Sequence, residues 1–353
     1  MSTPFPPRNR SGFRVAIICA LSLEAENVQS VFDKCWEDEG KHYGKAGGDQ
    51  NAYNTGVIGR HNVVLAHMPG MGSTSASAVA AGLRSSFQGI QLALVVGICG
   101  VVPVHAKTQE EIVLGDIIIS TGVIQYDFGR LYPTGFQRKG GIEDSLGRAS
   151  PEIRAFVKML QTRQNRKRFA KNLALLLQSE DFQREVPAAK YPGATQDRLY
   201  DASYIHRHRL GDNFCDQCDN ILESCSKSCE ELGCEEGKLI IRSRHSFPKT
   251  KELALLPDDI PFIHFGQFGS ANTVIKSGVD RDRIAKADEV IAFEMEGAGV
   301  WDQYSTVVIK AACDYADSHK NKDWHAYAAA TAAACLKAFL TEWIIPDSSP
   351  DRG

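Results

Sequence analysis

Runs of apolar residues alternate with helical stretches over the first part of the chain. Residues 13–20, 61–68, 92–96 and 112–120 have the pattern of buried strands, and residues 22–33 and 73–87 have the pattern of helices. The run at 92–96 is continuously apolar, as expected where helices cover both faces of a sheet. This β–α alternation predicts an α/β fold with a central mixed, largely parallel sheet flanked by helices.

The pattern changes in the middle of the chain and then returns. Residues 130–250 are polar and poor in strand pattern, whereas core-like runs reappear at 261–265, 290–293 and 306–311, before an Ala-rich helix at 325–342. We therefore expect a single domain over residues 13–345 with a long insertion at about 131–260. Residues 1–12 are expected to be a Pro-rich disordered tail, and residues 346–353 a second tail.

Composition and charge exclude two classes of partner. The chain has 353 residues and a net charge of −3, whereas nucleic-acid binding favours a basic face. The basic run at 163–168 lacks interleaved aromatic residues, so it is predicted to be a solvated helix face. No apolar run approaches the length of a membrane span, and the run at 15–21 is too short for a signal peptide. A cytoplasmic protein with no nucleic-acid or membrane partner is expected.

Carboxylates and a glycine-containing turn follow several predicted strands. They are Glu24, the turn at 97–100, Glu294 with Glu296, and Asp314. In open α/β sheets the ligand crevice lies at the carboxyl ends of the strands, so these groups are expected to meet at one edge. Cleavage of an N-glycosidic bond uses an acid for the leaving group and a carboxylate that activates water. Each feature taken singly is also explained by helix capping or tight packing.

Five segments, in this order along the chain, carry a family resemblance. They are AIICALSLEAE at 16–26, VVGICGV at 95–101, LGDIIIS at 114–120, FEMEG at 293–297 and ACDYAD at 312–317. The order resembles the superfamily of nucleoside phosphorylases and nucleosidases, which includes methylthioadenosine/S-adenosylhomocysteine nucleosidase and the hexameric purine nucleoside phosphorylases. The stretch ACDYADSHKNKDWHAYAAATAAA looks like its fungal branch, whose members are often fused to signalling or repeat domains.

The resemblance implies a role for four residues of the site. Glu296 would bind the ribose 2′- and 3′-hydroxyls, and Met295 would pack under the sugar. Asp314 would donate a proton to purine N7, and Glu24 would activate the attacking water.

Other positions would line the same site. Glu294 resembles a supporting carboxylate, Cys99 and Gly100 belong to the turn that lets the backbone approach the ligand, and Gly97 would help in this. The segment 268–275 would contact the base. Its candidate base neighbours are Asn272, Thr273 and Val274. Apart from the resemblance, the aromatic residues that could wall the sugar or base are Tyr126, Phe128 and Phe268, and the alternative is that they are ordinary core residues. The LGD at 114–116 is expected to be structural.

The residues at three positions of the chain favour hydrolysis over phosphorolysis. Where the hexameric phosphorylases carry two arginines and a serine that contact phosphate, this chain has Glu24, Val95 and Ile98. A carboxylate beside a phosphate dianion is repulsive, so water is the expected nucleophile. Phosphate donors would otherwise have to come from elsewhere in the chain, from Arg60, Arg84 or Arg130, or from a neighbouring subunit.

The resulting hypothesis is a purine nucleoside N-glycosidase that hydrolyses adenosine, guanosine or inosine to free base and ribose and needs no cofactor. The alternatives are a phosphate-dependent purine nucleoside phosphorylase and a non-catalytic nucleoside-binding or sensor protein. Because the relatives are dimers or hexamers, a homodimer or higher homo-oligomer is expected.

Five cysteines are bunched inside the predicted insertion. Zinc takes four thiolate or imidazole ligands, and a CxxC pair such as Cys215 with Cys218 is a common half-site. A structural zinc held by these two with Cys229 and Cys234 is one interpretation. The others are reduced surface cysteines or, in a secreted protein, disulfides.

Overall fold

The computed structural model describes residues 4–186, 190–207, 209–210, 213–214, 227–246 and 260–344. The strands, numbered in chain order, are β1 Val15–Cys19, β2 Lys34–Cys35, β3 Ala52–Ile58, β4 His61–His67, β5 Leu92–Val101, β6 Ile117–Gln125, β7 Gly129–Tyr132, β8 Gly135–Arg138, β9 Arg209–Leu210, β10 Asn213–Phe214, β11 Ile263–Ser270, β12 Val290–Glu294 and β13 Thr306–Asp314. The helices are α1 Ser22–Ser30, α2 Ser73–Ser86, α3 Pro151–Gln161, α4 Arg163–Leu177, α5 Glu180–Glu185, α6 Ser243–Ser246, α7 Gly278–Asp288, α8 Gly297–Trp301 and α9 His325–Glu342.

Nine of these described strands form one sheet in the order β12-β11-β6-β13-β5-β1-β4-β3-β2. Strand β5 runs parallel to β1 and β13, and β11 runs parallel to β6 and β12, whereas β13 and β6 are antiparallel. The expected mixed, largely parallel sheet is therefore confirmed. Strand β12 also pairs with β5, which closes the pairings of β12, β11, β6, β13 and β5 into a ring. This closure brings the end of β12 beside the ends of β5 and β13.

The helices cover the apolar faces of the sheet. Helix α9 packs against β5 and β13, and α1 and α4 pack against α9. The sequence of α9, HAYAAATAAACLKAFLTE, is rich in Ala, the residue with the highest helix propensity, and its small side chains let α9 pack closely on the sheet. The Ala-rich helix expected at 325–342 matches α9 at both ends.

The predicted insertion contributes helices as well as loops. Helix α3 begins after the N-cap Ser150, whose side chain accepts from the Ile153 backbone N–H, and Pro151 stands at the first helical position. The basic run at 163–168 opens α4, and Arg168 forms an ion pair with Glu342 of α9.

The N-terminal segment is more ordered than the expected tail. Among residues 4–12, the Pro7 carbonyl accepts a 3.0 Å hydrogen bond from the Tyr43 hydroxyl, and Asn9 caps a 3-10 turn at Arg10–Gly12. Residues 1–3 and the expected tail 346–353 lie outside the described residues. Among the described helices, none is both long enough and apolar enough to cross a membrane.

Candidate active site

A cavity of about 240 Å³ opens at the carboxyl-terminal edge of the central strands. It is lined by residues from the end of β1 and the start of α1, from β5, from the loop after β11, from β12 with its following turn, and from β13 with its following loop. Ligand pockets are typically about 300–1,000 Å³, so this one suits a compact ligand. The predicted site residues in its wall are Glu24, Cys99, Gly100, Thr273, Val274, Glu294, Met295, Glu296 and Asp314.

Glu24 is a buried carboxylate held by backbone donors. One oxygen accepts 3.0 Å hydrogen bonds from the N–H groups of Ala20 and Leu21, and the other accepts a 2.8 Å bond from the N–H of Ile98. The Lys310 ammonium lies 3.7 Å from this second oxygen. All of these groups stabilise negative charge, so Glu24 presents a fixed carboxylate to the cavity.

Glu296 shares the same ammonium group. Its Oε2 accepts a 2.8 Å hydrogen bond from Lys310 Nζ, and its Oε1 lies 3.4 Å from the backbone nitrogen of Gly72. Burial alone would lower the pKa of Lys310, but the neighbouring glutamates, Glu296 foremost, raise it well above its ordinary value. Lys310 is therefore a buried cation that fixes both Glu24 and Glu296.

Glu294 supports the turn beneath the cavity. Its Oε2 accepts backbone hydrogen bonds from Glu296 at 2.9 Å and Gly297 at 2.8 Å, at the start of α8. Burial, followed by repulsion from the Glu296 carboxylate, raises the pKa of Glu294. This side chain lines the cavity, and one of its oxygens orients the backbone that carries Glu296.

Asp314 stands at the end of β13 on the far side of the cavity. Its Oδ1 accepts a 2.8 Å hydrogen bond from the Ala316 N–H, and its Oδ2 lies 3.1 Å from Lys320 Nζ. Burial alone would lower the pKa of Lys320, but the Asp314 carboxylate outweighs it and the pKa is raised. His325, the first residue of α9, also lines the cavity.

The segment 97–100, expected to be a turn, belongs to strand β5. Pairing with β13 continues through Gly97–Lys310 and reaches Gly100–Asp314, with a single shift of register between Ala312 and Asp314. A Cβ at Gly97 would lie 1.8 Å from Glu24 Oε1, and one at Gly100 would lie 2.8 Å from Asp314 Oδ1. These glycines therefore make room for the two carboxylates rather than for a tight turn.

One predicted base neighbour lies outside the cavity wall. The side-chain oxygen of Asn272 accepts a 2.9 Å hydrogen bond from the Ser73 N–H, at the start of α2, and the Asn272 backbone N–H donates to Asp127 at 2.8 Å. Asn272 thus ties the loop after β11 to α2, because its short amide can cap that helix. Thr273 and Val274 do line the cavity.

Of the three aromatic residues predicted to wall the ligand, one lines the cavity and two do not. Tyr126 lines the cavity and donates a 3.2 Å hydrogen bond to the Thr273 carbonyl. Phe268 is buried in the sheet and Phe128 is 43% exposed, and neither is in the cavity wall. Phe293, which sequence reasoning missed, lines the cavity and packs edge-on to Tyr126.

The cations of the site are lysines that sequence reasoning missed. Lys310 and Lys320 line the cavity, and the wall contains no arginine among the described residues. Lys310 interrupts the apolar run TVVIKAACD of β13, and a charged residue in a strand buried along its whole length was the available signal. Arg60, one proposed phosphate donor, instead donates to the Thr341 carbonyl at the end of α9.

The expected structural LGD segment lies away from the cavity. Asp116 accepts hydrogen bonds from the backbone of Val113 at 3.0 Å and Phe262 at 2.8 Å, and it pairs with Arg244 and with His264 Nε2 at 3.0 Å. Of the four candidate zinc ligands, Cys215 and Cys218 lie outside the described residues, whereas Cys229 and Cys234 are described.

The fold and this cavity together define an α/β protein whose ligand site is built from buried carboxylates at the edge of a mixed sheet. The model of the phosphorylase superfamily matches residues 14–190. The chain belongs to this superfamily.

Solved structures with the same fold include two nucleosidases and a hydrolase. The 5′-methylthioadenosine/S-adenosylhomocysteine nucleosidase of Neisseria meningitidis has a TM-score of 0.54 at 14% identity, with 94% of this chain and 99% of that chain covered. The corresponding Streptococcus pneumoniae enzyme has a TM-score of 0.53 at 16% identity, with 93% and 98% covered. Futalosine hydrolase of Helicobacter pylori has a TM-score of 0.51 at 14% identity, with 94% and 99% covered.

A fungal relative is a much longer protein. A nucleotide-binding leucine-rich repeat (NLR)-like protein of Hyaloscypha variabilis is 30% identical over 334 residues, which cover 93% of this chain and 29% of the relative. The chain thus spans less than a third of that relative.

Proposed function

We propose that the chain is a purine nucleoside N-glycosidase that uses water to release the free base and ribose. The observation that carries this proposal is that Glu24, Glu296 and Asp314 line one cavity, although they come from three separate segments of the chain. A water-activating base, a diol-binding carboxylate and an acid for the leaving group are the set that hydrolysis of a nucleoside requires.

Each carboxylate is suited to a different step. Glu24, fixed by backbone donors and Lys310, accepts a proton from the attacking water. Glu296 accepts hydrogen bonds from the ribose hydroxyls and is oriented by Lys310. Asp314 takes up a proton before the reaction and gives it to the leaving purine, and the nearby Lys320 ammonium stabilises the carboxylate that remains.

The charges of the cavity favour water over phosphate. Four carboxylates line it against the two lysines, and each lysine already lies within 3.1 Å of a carboxylate oxygen. A phosphate dianion needs cationic donors that are free to bind it. Because Glu24 lies in the cavity wall, a bound dianion would also be repelled by a fixed negative charge.

The substrate class rests on the chemistry of Asp314 and on the neighbours in fold. A carboxyl group at this position can bond N7 of either a 6-amino or a 6-oxo purine, so we propose adenosine, guanosine or inosine as substrates. Since two fold neighbours are methylthioadenosine/S-adenosylhomocysteine nucleosidases, methylthioadenosine belongs in the test panel.

The test is to incubate the chain with a panel of nucleosides, with and without inorganic phosphate, and to measure the free base released by chromatography. We expect release without phosphate, with ribose rather than ribose 1-phosphate as the second product. Glu24→Gln should lower turnover by about 10²–10⁴-fold, while the matched change at the exposed Glu26 leaves it unchanged. Strict dependence on phosphate would replace this proposal with the phosphorylase.

A sensor role is a second candidate, favoured by the NLR-like relative of which this chain matches only 29%. A sensor binds a nucleoside without turnover. Tight binding measured by calorimetry, with no base released by the wild-type chain, would select the sensor over the enzyme.

A further inference from the structure

Two histidines and two cysteines come together beside the loop that follows β13. His206 Nδ1 lies 3.4 Å from the Cys234 sulfur and 3.7 Å from the Cys229 sulfur. His319 joins His206 and Cys234, because the ligand atoms of these three residues all lie within 4.8 Å of one another. Cys229 is placed beside this group of three by its contact with His206. The two histidines are only 5% and 7% exposed.

The spacing of the two cysteine sulfurs around His206 Nδ1 fits a tetrahedral metal site. Zinc binds thiolate sulfur at about 2.3 Å and imidazole nitrogen at about 2.0–2.1 Å, which at a tetrahedral angle separates sulfur from nitrogen by about 3.6 Å. The two sulfur–nitrogen distances to His206, 3.4 and 3.7 Å, lie on either side of this value. Two thiolates with two imidazoles form a ligand set that favours zinc over the hard cations magnesium and calcium.

The hydrogen bonding of His206 supplies an independent argument. Its Nε2 lies 3.0 Å from the Lys227 carbonyl oxygen. Because a carbonyl can only accept, Nε2 carries the hydrogen, and in the neutral ring the Nδ1 lone pair then faces the two sulfurs. Metal-binding histidines commonly fix their tautomer in this way, by donating the other ring N–H to a backbone carbonyl.

The position of His319 is fixed by its neighbours. Its ring stacks on Tyr200, with centroids 4.0 Å apart, and lies nearly parallel to the ring of Tyr204. The two ligand-bearing segments also touch directly, since the His206 N–H donates a 2.9 Å hydrogen bond to the Ser318 hydroxyl. The ligands are thus held close together by packing of the protein itself.

We propose that one structural zinc ion is bound by His206, Cys229, Cys234 and His319. The ion fastens the insertion to the loop that follows β13, which we call the active-site loop. Two histidines here take the places that the sequence pattern assigned to Cys215 and Cys218. The consequence for the site follows from the chain order, because His319 precedes Lys320, whose ammonium lies 3.1 Å from Asp314. The metal would hold this loop in place and take no part in bond cleavage.

The first test is the zinc content of the purified full chain, measured by mass spectrometry after dialysis against a chelator. We expect about one zinc ion per wild-type chain. His206→Asn, His319→Asn and the double variant Cys229→Ser/Cys234→Ser should each retain less than about a tenth of it. The matched controls His42→Asn and Cys35→Ser, which change residues remote from the cluster in sequence, should keep it.

The double variant Cys215→Ser/Cys218→Ser distinguishes the two ligand sets. It should keep its zinc, and loss of the metal from this variant would overturn the proposed set. A metal-free, folded wild-type chain, or a disulfide between Cys229 and Cys234 found by peptide mapping, would overturn the site altogether. These measurements need no substrate, so their failure is distinct from failure of the proposed enzyme activity.

Substitution with Co²⁺ covers the case in which the variants do not fold. The wild-type chain refolded with Co²⁺ should show the intense visible absorption of a tetrahedral site and charge-transfer bands from two thiolates. Weak visible absorption without thiolate bands, as in an octahedral oxygen site, would contradict the proposal.

Discussion

Replacing Lys310 with Met tests the charge arrangement on which the site depends. The side chain of Lys310 is 2% exposed, and its ammonium lies 2.8 Å from Glu296 Oε2 and 3.7 Å from Glu24 Oε1. Met keeps most of the apolar stem but removes the charge. Breaking a buried pair by removing one partner costs about 3–5 kcal/mol, because it leaves an uncompensated charge. That is a large part of a total stability of about 5–15 kcal/mol.

The effect should depend on pH in a defined direction. The pKa of Lys310 is lowered by burial but raised more strongly by Glu296 and Glu24, and it ends well above its ordinary value of 10.5. The stabilisation in the wild-type protein is therefore fully present below about pH 10.5 and is lost as pH rises through the folded-state pKa. Lys310→Met lacks this contribution at every pH, so its difference in stability from the wild-type protein should shrink as pH rises through the folded-state pKa of Lys310.

Urea unfolding followed by tryptophan fluorescence measures these differences. At pH 7, Lys310→Met should lower the free energy of unfolding by about 3–5 kcal/mol, while Lys41→Met at an exposed position should change it by less than about 0.5 kcal/mol. The double variant Lys310→Met/Glu296→Gln should be more stable than the single variant, because the uncompensated charge of Glu296 is also removed. The reasoning fails if Lys310→Met costs less than about 1 kcal/mol, or if the double variant recovers nothing.

Two further predictions follow from close contacts. Gly97→Ala should lower turnover by about 10²-fold or more, because the new Cβ would lie 1.8 Å from Glu24 Oε1 and displace that carboxylate. The control is Gly47→Ala, where a new Cβ has open space around it. Full activity of Gly97→Ala would contradict the role of Glu24. Asp116→Asn should cost about 3–5 kcal/mol at pH 7 in the same unfolding assay. The pKa of Asp116 is raised by burial but lowered more strongly, chiefly by Arg244, to well below its ordinary 3.8. The stabilisation that the Asp116 carboxylate gives to the folded protein is therefore present above about pH 3.8 and is lost as pH falls through the folded-state pKa. The free energies of unfolding of the variant and the wild-type protein should then approach each other in acid. Equal free energies of unfolding at pH 7 would refute the ion pair.

Strand pattern and chain order predicted that the carboxylates would meet, but the physical reason holds for only two of them. Because parallel strands end at the same edge, Glu24, Glu296 and Asp314 could be assigned to one crevice from the runs that precede them. The structure brings all three to one cavity. The rule accounts for Glu24 and Asp314, whose strands β1 and β13 both run parallel to β5, whereas Glu296 follows β12, which is antiparallel to β5 and reaches the cavity through closure of the ring. Their roles in the reaction stay predictions, since a carboxylate at the right edge does not by itself report which proton it moves.

Other features depend on contacts between distant segments, which a linear pattern does not contain. The glycines of 97–100 were interpreted as a turn that follows the strand at 92–96, yet β5 continues through them to Val101 and is paired with β13 as far as Gly100. Lys310 was overlooked although its charge inside an apolar run was a signal, because its partners Glu24 and Glu296 come from distant segments of the chain. The polar side chain of Asn272 was assigned to the base, but it caps α2 instead.

The insertion is better understood as part of the domain than as an appendage to it, and the reason is its buried polar contacts. Asp197 of the insertion accepts a 2.6 Å hydrogen bond from the hydroxyl of Tyr315, which is 2% exposed and follows Asp314 directly. Arg242 donates to the carbonyl oxygens of Pro103 and Ile112 at 2.8 and 2.7 Å. Removing the insertion would leave these buried groups without their partners, at about 1–3 kcal/mol each. A shortened chain would therefore be expected to lose the geometry of the active-site loop before it lost the sheet.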